Sequence, residues 1–435
     1  MILYLQKIIK SQRKLYLIIL FILTILSALE FVLLGIYSSF TDLSNLYFII
    51  LRLISAIAIF ISFFLTLMIN NYFIENKYEE FSIILLSGCR TKNIIEYIVL
   101  QFGMLFVLAD IMGFAVGYIL MFMINHIQSY YFNYSIVTIA FSYAGILLCK
   151  MIYVFMINFG KFIRIKLNIA DYITRHTSLT SQKQYFSGRL LANQTHQFPL
   201  GALFSSGVAV LLLILSIQGL FDYQNGSLLP VYFMCFLLGE VMMINTTIPL
   251  VFDFLHDRYL MKAPKMIMIL ANIMHLSKVL VSLINILACV IPVCLSNFFF
   301  GIMNDEILAV TMICFYILLI MISLSFVLRF QVYLPSIETD IATLKAIGYH
   351  YSQLIFIYNG VVAGFMIIVV IFPLMLYSLL LYRTYLLSYI SISIVLILII
   401  SYLTVFTLLA FYMLHAYHQT VKEAYYDVKY LNRSE

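Results

Sequence analysis

The chain has 435 residues, of which 64% are hydrophobic and only 10% charged, and it contains no tryptophan. Soluble domains carry about a quarter charged residues, so this balance excludes a water-soluble fold and places the chain in a bilayer. The net charge of +6 is accounted for by membrane topology, as shown next, and calls for no nucleic-acid partner.

Apolar runs long enough to cross about 30 Å of hydrocarbon recur from end to end. They predict an all-α polytopic membrane protein with about ten transmembrane helices, at 16–39, 47–72, 98–125, 134–157, 201–220, 229–252, 277–301, 307–329, 353–381 and 386–414. The alternating segments of about ten residues that mark a β-barrel are missing. The stretches "QKIIKSQRK", "GKFIRIKLNIADYITRHTSLTSQKQYFSGR" and "HDRYLMKAPK" are basic, whereas the alternate loops "TDLSNLY", "NHIQSYYFNY", "DYQNGSLL" and "NDE" hold no Lys or Arg. The positive-inside rule therefore predicts cytoplasmic N- and C-termini. The first apolar run is too long for a cleavable signal peptide and lacks a small-residue cleavage site. Tyrosine, at 33 residues, is left to supply the interfacial aromatic belt. The six cysteines sit in spans or, for Cys89, on the cytoplasmic side, where no disulfide is expected.

Ionisable residues inside spans are costly and mark candidate sites. Glu30 falls in the outer half of the first span and Arg52 near the outer start of the second, and an intramembrane ion pair between them is expected. Asp110 in the third span and Glu240 in the sixth fall near mid-membrane. Two roles stay open for them: a polar patch that touches a cationic ligand or gates helix motion, or a protonated, hydrogen-bonded carboxyl at a helix seam. Lys150, in the fourth span, is expected to snorkel to the cytoplasmic headgroups. "GFAVG" (Gly113, Gly117) and "GVVAG" (Gly360, Gly364) are small-residue pairs that let helix backbones approach closely, a packing role.

Between the second and third spans lies "YEEFSIILLSGCRTKNIIEYI", residues 78–98. Glu79 and Glu80 open it, and Phe81, Ile84, Leu85 and Gly88 share a face at helical spacing. Ser87-Gly88 then supplies a C-cap, and Arg90 follows at the headgroup boundary. "ETDIATLKAIGYHYSQLIFIY", residues 338–358, repeats the pattern between the eighth and ninth spans. With Gly88 placed on Gly348, Glu80 meets Asp340, Ile84 meets Leu344, Asn93 meets Gln353 and Ile94 meets Leu354. Ile341, Leu344 and Ile347 form the second apolar face, with Lys345 beside it. One such piece alone reads as an interfacial anchor. Two at matching positions, each fused to the following span with almost no loop, read as mechanical couplers. The expected organisation is four spans, two spans, then four spans. It divides into a first four-helix unit with its N-terminal amphipathic helix (1–157), a basic cytoplasmic connector (158–200), a two-helix insert (201–256) and a second four-helix unit with a cytoplasmic tail (257–435).

Absences narrow the function. No GxxxxGKS/T phosphate loop is present, so ATP is not hydrolysed by such a loop here, and no nucleophile elbow or acid/base pair points to an intramembrane hydrolase. The histidines show no paired ligand spacing, so no metal is expected.

The acid, apolar pair, glycine and polar run into a span resembles the signature of the FtsX-like permease family, "E-x-x-x-L-x-x-L/I-G" before the third span. Glu80–Gly88 and Asp340–Gly348 occupy it here, over about residues 47–157 and 307–414. The resemblance implies two FtsX-like four-helix repeats joined by a two-helix insert, as in the Bce-type branch of ABC transporter permeases, which is similar to MacB-like transporters in working by mechanotransmission, in the plasma membrane of a bacterium. It implies a non-enzymatic subunit with no cofactor of its own, worked by a dimer of a cytoplasmic P-loop ATPase that holds ATP and Mg. Export or removal of antimicrobial peptides or lipid-associated substrates is the implied activity. The large extracytoplasmic domain of the Bce branch is replaced by "FFFGIMNDE". Two rival readings remain: a non-transporting relay that works with an ATPase and a membrane histidine kinase, and an ion-coupled carrier using Asp110 or Glu240.

Overall fold

The computed structural model describes residues 13–39, 46–75, 91–127, 136–167, 200–221, 229–255, 264–296, 305–386 and 390–426. Among these residues nearly all are helical and none is in a strand. A lipid core offers no hydrogen bonds to the backbone, so each apolar segment must satisfy its own N–H and C=O groups, and the α-helix does so within one segment.

Ten helices among the described residues are long and apolar enough to cross a membrane. They are α1 (Arg13–Ser39), α2 (Leu46–Glu75), α3 (Thr91–Ile127), α4 (Ile136–Leu167) and α5 (Leu200–Phe221). α6 comprises Leu229–Met242, Met243–Thr247 and Ile248–Leu255; α7 is Pro264–Ser296 and α8 is Asp305–Ala346. α9 comprises Tyr351–Met366, Ile367–Ile371 and Phe372–Leu386, and α10 is Ile392–Tyr426. The expected spans lie on these helices in order. Several helices run further than their spans: α3 begins at Thr91, before the expected 98, and α4 continues to Leu167, beyond the expected 157. α7 begins at Pro264, well before the expected span start at 277, and runs on without a break. α8 continues to Ala346 and α10 to Tyr426, well beyond the expected span ends at 329 and 414.

The middle segments of α6 and α9 are single wide turns in which an N–H reaches back five residues, from Ile248 to the Met243 carbonyl and from Phe372 to that of Ile367. Each wide turn is followed closely by a proline, Pro249 and Pro373. Proline has no N–H to give to the carbonyl four residues earlier, and its ring pushes that carbonyl away. Widening the turn absorbs the clash without ending the helix.

The chain divides into two compact units, Met1–Gln194 and Thr195–Glu435, so α5 and α6 fall within the second unit. In the first unit α1 is the hub, packed on α2, α3 and α4. Its seam with α3 is the closest. A Cβ on Gly113 would stand 2.5 Å from the Ser27 Cβ and 3.0 Å from the Thr24 carbonyl, and one on Gly117 would stand 2.9 Å from the Ala28 carbonyl. These glycines let backbone meet backbone. In the second unit α7 packs on α6, α8 and α9, α10 packs on α8 and α9, and α5 packs on α6. Gly360 and Gly364 of α9 face the Ile269 and Ile273 side chains of α7.

Candidate functional site

The second coupler candidate is built from the ends of α8, α9 and α10. Asp340, Ile341, Leu344 and Lys345 lie on the last turns of α8 itself. The expectation of a short helix joined chiefly to the following span is therefore corrected: the segment continues the preceding span. Helical hydrogen bonding carries on because the stretch beyond the span finds packing partners in α10. Phe330 meets Tyr417 edge to face at 4.9 Å, Tyr358 stacks on Tyr417 at 4.9 Å, and Gln331 donates to the Tyr412 hydroxyl at 2.8 Å. Tyr333 lies buried in this column. Burial, with the Asp340 charge nearby, pushes its hydroxyl above the usual phenol range.

α8 stops in a Schellman motif. The Tyr349 N–H reaches the Leu344 carbonyl and the Gly348 N–H that of Lys345, both at 3.0 Å. Gly348 takes φ +103°, a conformation glycine adopts without the Cβ penalty of other residues. The His350 N–H then donates to Gln353 Oε1 at 3.2 Å, and α9 begins at Tyr351. The turn is fixed on both flanks. Lys345 Nζ donates to the Tyr425 carbonyl and lies 5.0 Å from the centre of its ring. The Tyr351 ring stands 5.7 Å from that of Tyr425 and 5.6 Å from that of Tyr426. The expected apolar face is divided: Ile341 is fully buried within the unit and Leu344 half-buried, while Ile347 is 68% exposed. The first coupler, with Glu79, Glu80, Phe81, Ile84, Leu85, Ser87, Gly88 and Arg90, lies outside the described residues.

Inside the first unit a polar layer joins all four helices. Glu30 of α1 accepts from Ser62 of α2 and forms an ion pair with Lys150 of α4, both through Oε1. Ser27 of α1 donates to Asp110 of α3, whose main-chain carbonyl accepts from the Tyr143 hydroxyl of α4 at 3.2 Å. A reciprocal amide pair, Asn70 with Asn158, closes the α2–α4 seam at 2.7 and 3.0 Å. Two expectations are corrected here. Glu30 pairs with Lys150, not Arg52, because Ser62 marks the level of Glu30 on α2. Arg52 lies ten residues earlier, about 15 Å along the helix axis at 1.5 Å per residue, and sits over the Tyr37 ring at 4.6 Å. Lys150 is not extended to the headgroups; it is 2% exposed, held in the interior by its carboxylate partner and lying over the Phe63 ring.

In the second unit the carboxyl of Glu240 on α6 accepts from the Tyr377 hydroxyl of α9 at 2.8 Å. Tyr377 meets Tyr402 of α10 edge to face, and the Tyr402 hydroxyl donates to the Val369 carbonyl at 3.4 Å. Val369 is four residues before Pro373, so this is the carbonyl that the proline leaves without its helical donor. Asn245, in the wide turn of α6, donates to Asn285 of α7 at 2.9 Å. No group of three or more His, Cys, Asp or Glu side chains placed to hold a metal occurs among the described residues.

Missing from the sequence reading were Lys150 as an interior partner, Ser27 and Ser62 as donors, and Tyr377 as the partner of Glu240. A lysine with an acid on another span was a usable signal for the first; the hydroxyl groups carried none. No curated protein and no solved structure matches the chain. Residues 52–165, which run from α2 to α4, match the family model described as FtsX-like permease C-terminal, so this part of the chain is similar to that family.

Proposed function

We propose that this chain is the permease subunit of an ABC-type transporter, moved by a separate cytoplasmic P-loop ATPase that binds the ATP and Mg. One observation carries the reading: the tip at Ile347–His350, where α8 turns into α9 and is clamped to α10. A force applied there enters three spans at once, since α8 is unbroken, α9 starts within four residues, and Lys345 holds the end of α10. The exposed Ile347 offers the apolar contact. The FtsX-like match over 52–165 supports a second handle in the first unit, at Glu80–Gly88, and each handle takes one subunit of an ATPase dimer. On this reading the two four-helix groups are repeats, the termini and both handles face the cytoplasm, and the chain itself is not an enzyme. It sits in the plasma membrane of a bacterium and removes antimicrobial peptides or lipid-associated molecules from the bilayer. Only residues 297–304 separate α7 from α8, too few for an extracytoplasmic domain, so substrate contact falls to the spans.

The test is purification of the tagged full-length chain from its native membrane. A small P-loop ATPase should accompany it, with ATPase activity that depends on the permease. Substrate movement driven by a proton gradient without any ATPase would overturn the proposal.

A further inference from the structure

The coupling mechanism makes no use of the polar layer inside the first unit, and its charges do not balance. It contains two carboxyl groups, Glu30 and Asp110, and one ammonium group, Lys150, all at most 3% exposed. Lys150 is committed to Glu30, which also accepts from Ser62. Asp110 receives one donor, the Ser27 hydroxyl on Oδ1, because the Tyr143 hydroxyl goes to its main-chain carbonyl. Its Oδ2 is buried and has no hydrogen-bond partner. An ionised carboxylate has about four acceptor positions to fill, and here one is filled. Leaving that charge unpaired in the bilayer is among the costliest states a buried group can take. A neutral carboxyl leaves only one uncharged hydroxyl unpaired, a much smaller cost. The smaller cost decides which form this arrangement holds.

The geometry points to Asp110 as a proton-binding site, occupied while α1 and α3 are closed. The proton sits on Oδ2, Oδ1 accepts from Ser27, and the layer is then neutral. Glu30 and Ser27 from α1 and Tyr143 and Lys150 from α4 are the polar and charged groups facing Asp110, and Ser62 of α2 holds Glu30. The site lies on the seam: Gly113, one turn along α3, is the glycine packed against Ser27. Separation of α1 from α3 takes Ser27 away, admits water, and lets Asp110 release its proton to that water. Opening of the first unit is thereby linked to proton release.

Asp110 is the one aspartate within the ten spans, so a single label reads it. The full-length protein is prepared in lipid nanodiscs with carbon-13 at aspartate side-chain carboxyls, and infrared spectra are recorded at neutral pH. A carbon-13-shifted carbonyl stretch of a protonated carboxyl is expected. It should vanish in Asp110→Asn, and also in Glu30→Gln, where the freed Lys150 ionises Asp110. Absence of the band from the unsubstituted protein overturns the proposal without reference to any variant. Survival of the band in Asp110→Asn places the proton elsewhere, and survival in Glu30→Gln refutes the charge-balance argument; either result overturns it.

Discussion

Lys150 shows how much one residue's surroundings decide. An ammonium group in hydrocarbon is tolerated only beside an opposite charge. Lys150→Met removes the cation and leaves the buried Glu30 carboxylate with Ser62 alone. We expect a loss of about 3–5 kcal/mol, the usual cost of breaking a buried pair from one side. The double variant Glu30→Gln with Lys150→Met should recover most of it, since neither charge is then stranded. Arg52→Ala should cost under about 1 kcal/mol, as expected of a cation at an exposed ring. Denaturant titration in detergent micelles checks all three. An Arg52 effect as large as that of Lys150 would contradict the pairing in the structure. The sequence offered Lys150 as a candidate partner but could not choose it over Arg52, because pairing depends on which helices are neighbours and on depths counted across loops of unknown course. Glu30 and Arg52 are close in the chain, whereas Glu30 and Lys150 are brought together by α1 packing on α4.

At the scale of elements, the spans were legible because some twenty consecutive apolar residues have few other uses. Helix ends were less so. The sequence places the end of the eighth span at 329 with a separate short helix to follow, whereas one helix persists because Phe330, Tyr333 and Tyr417 pack it against α10. The small-residue pairs were legible as close contacts, but not the nature of each contact. Gly113 and Gly117 face backbone atoms of α1, which cannot move without separating the helices. Gly360 and Gly364 face the Cδ1 ends of Ile269 and Ile273, which can rotate away. Gly113→Ala should therefore cost about 1–3 kcal/mol, the range for overpacking a filled interface. Gly364→Ala should cost less than about 1 kcal/mol, because a side-chain rotation relieves it. Thermal unfolding of the two variants in the same detergent measures the difference, and equal destabilisation would show that the α7–α9 seam is as rigid as the α1–α3 seam.

For the molecule as a whole, the proposed mechanism requires that gripping and transmission be separable. Ile347 is exposed at the tip and contributes little to the fold, so the proposal gives it the contact with the ATPase. Lys345 points back to α10, where the Tyr425 carbonyl and ring hold it, so its part is to carry motion into the tenth span. Ile347→Asp puts a charge where an apolar contact is needed. We expect about tenfold less ATPase recovered on the tagged permease, about 1.4 kcal/mol of binding. Lys345→Met keeps the aliphatic stem and loses the charge-assisted hydrogen bond, worth about 1.5–3 kcal/mol. It should recover ATPase at the unsubstituted level while the permease-dependent part of ATP hydrolysis falls several-fold. Pull-down and steady-state hydrolysis, measured on the same preparations, separate the two effects. If both variants lose binding and hydrolysis in proportion, Lys345 is simply part of the contact surface, and the load path from the tip into α10 is refuted.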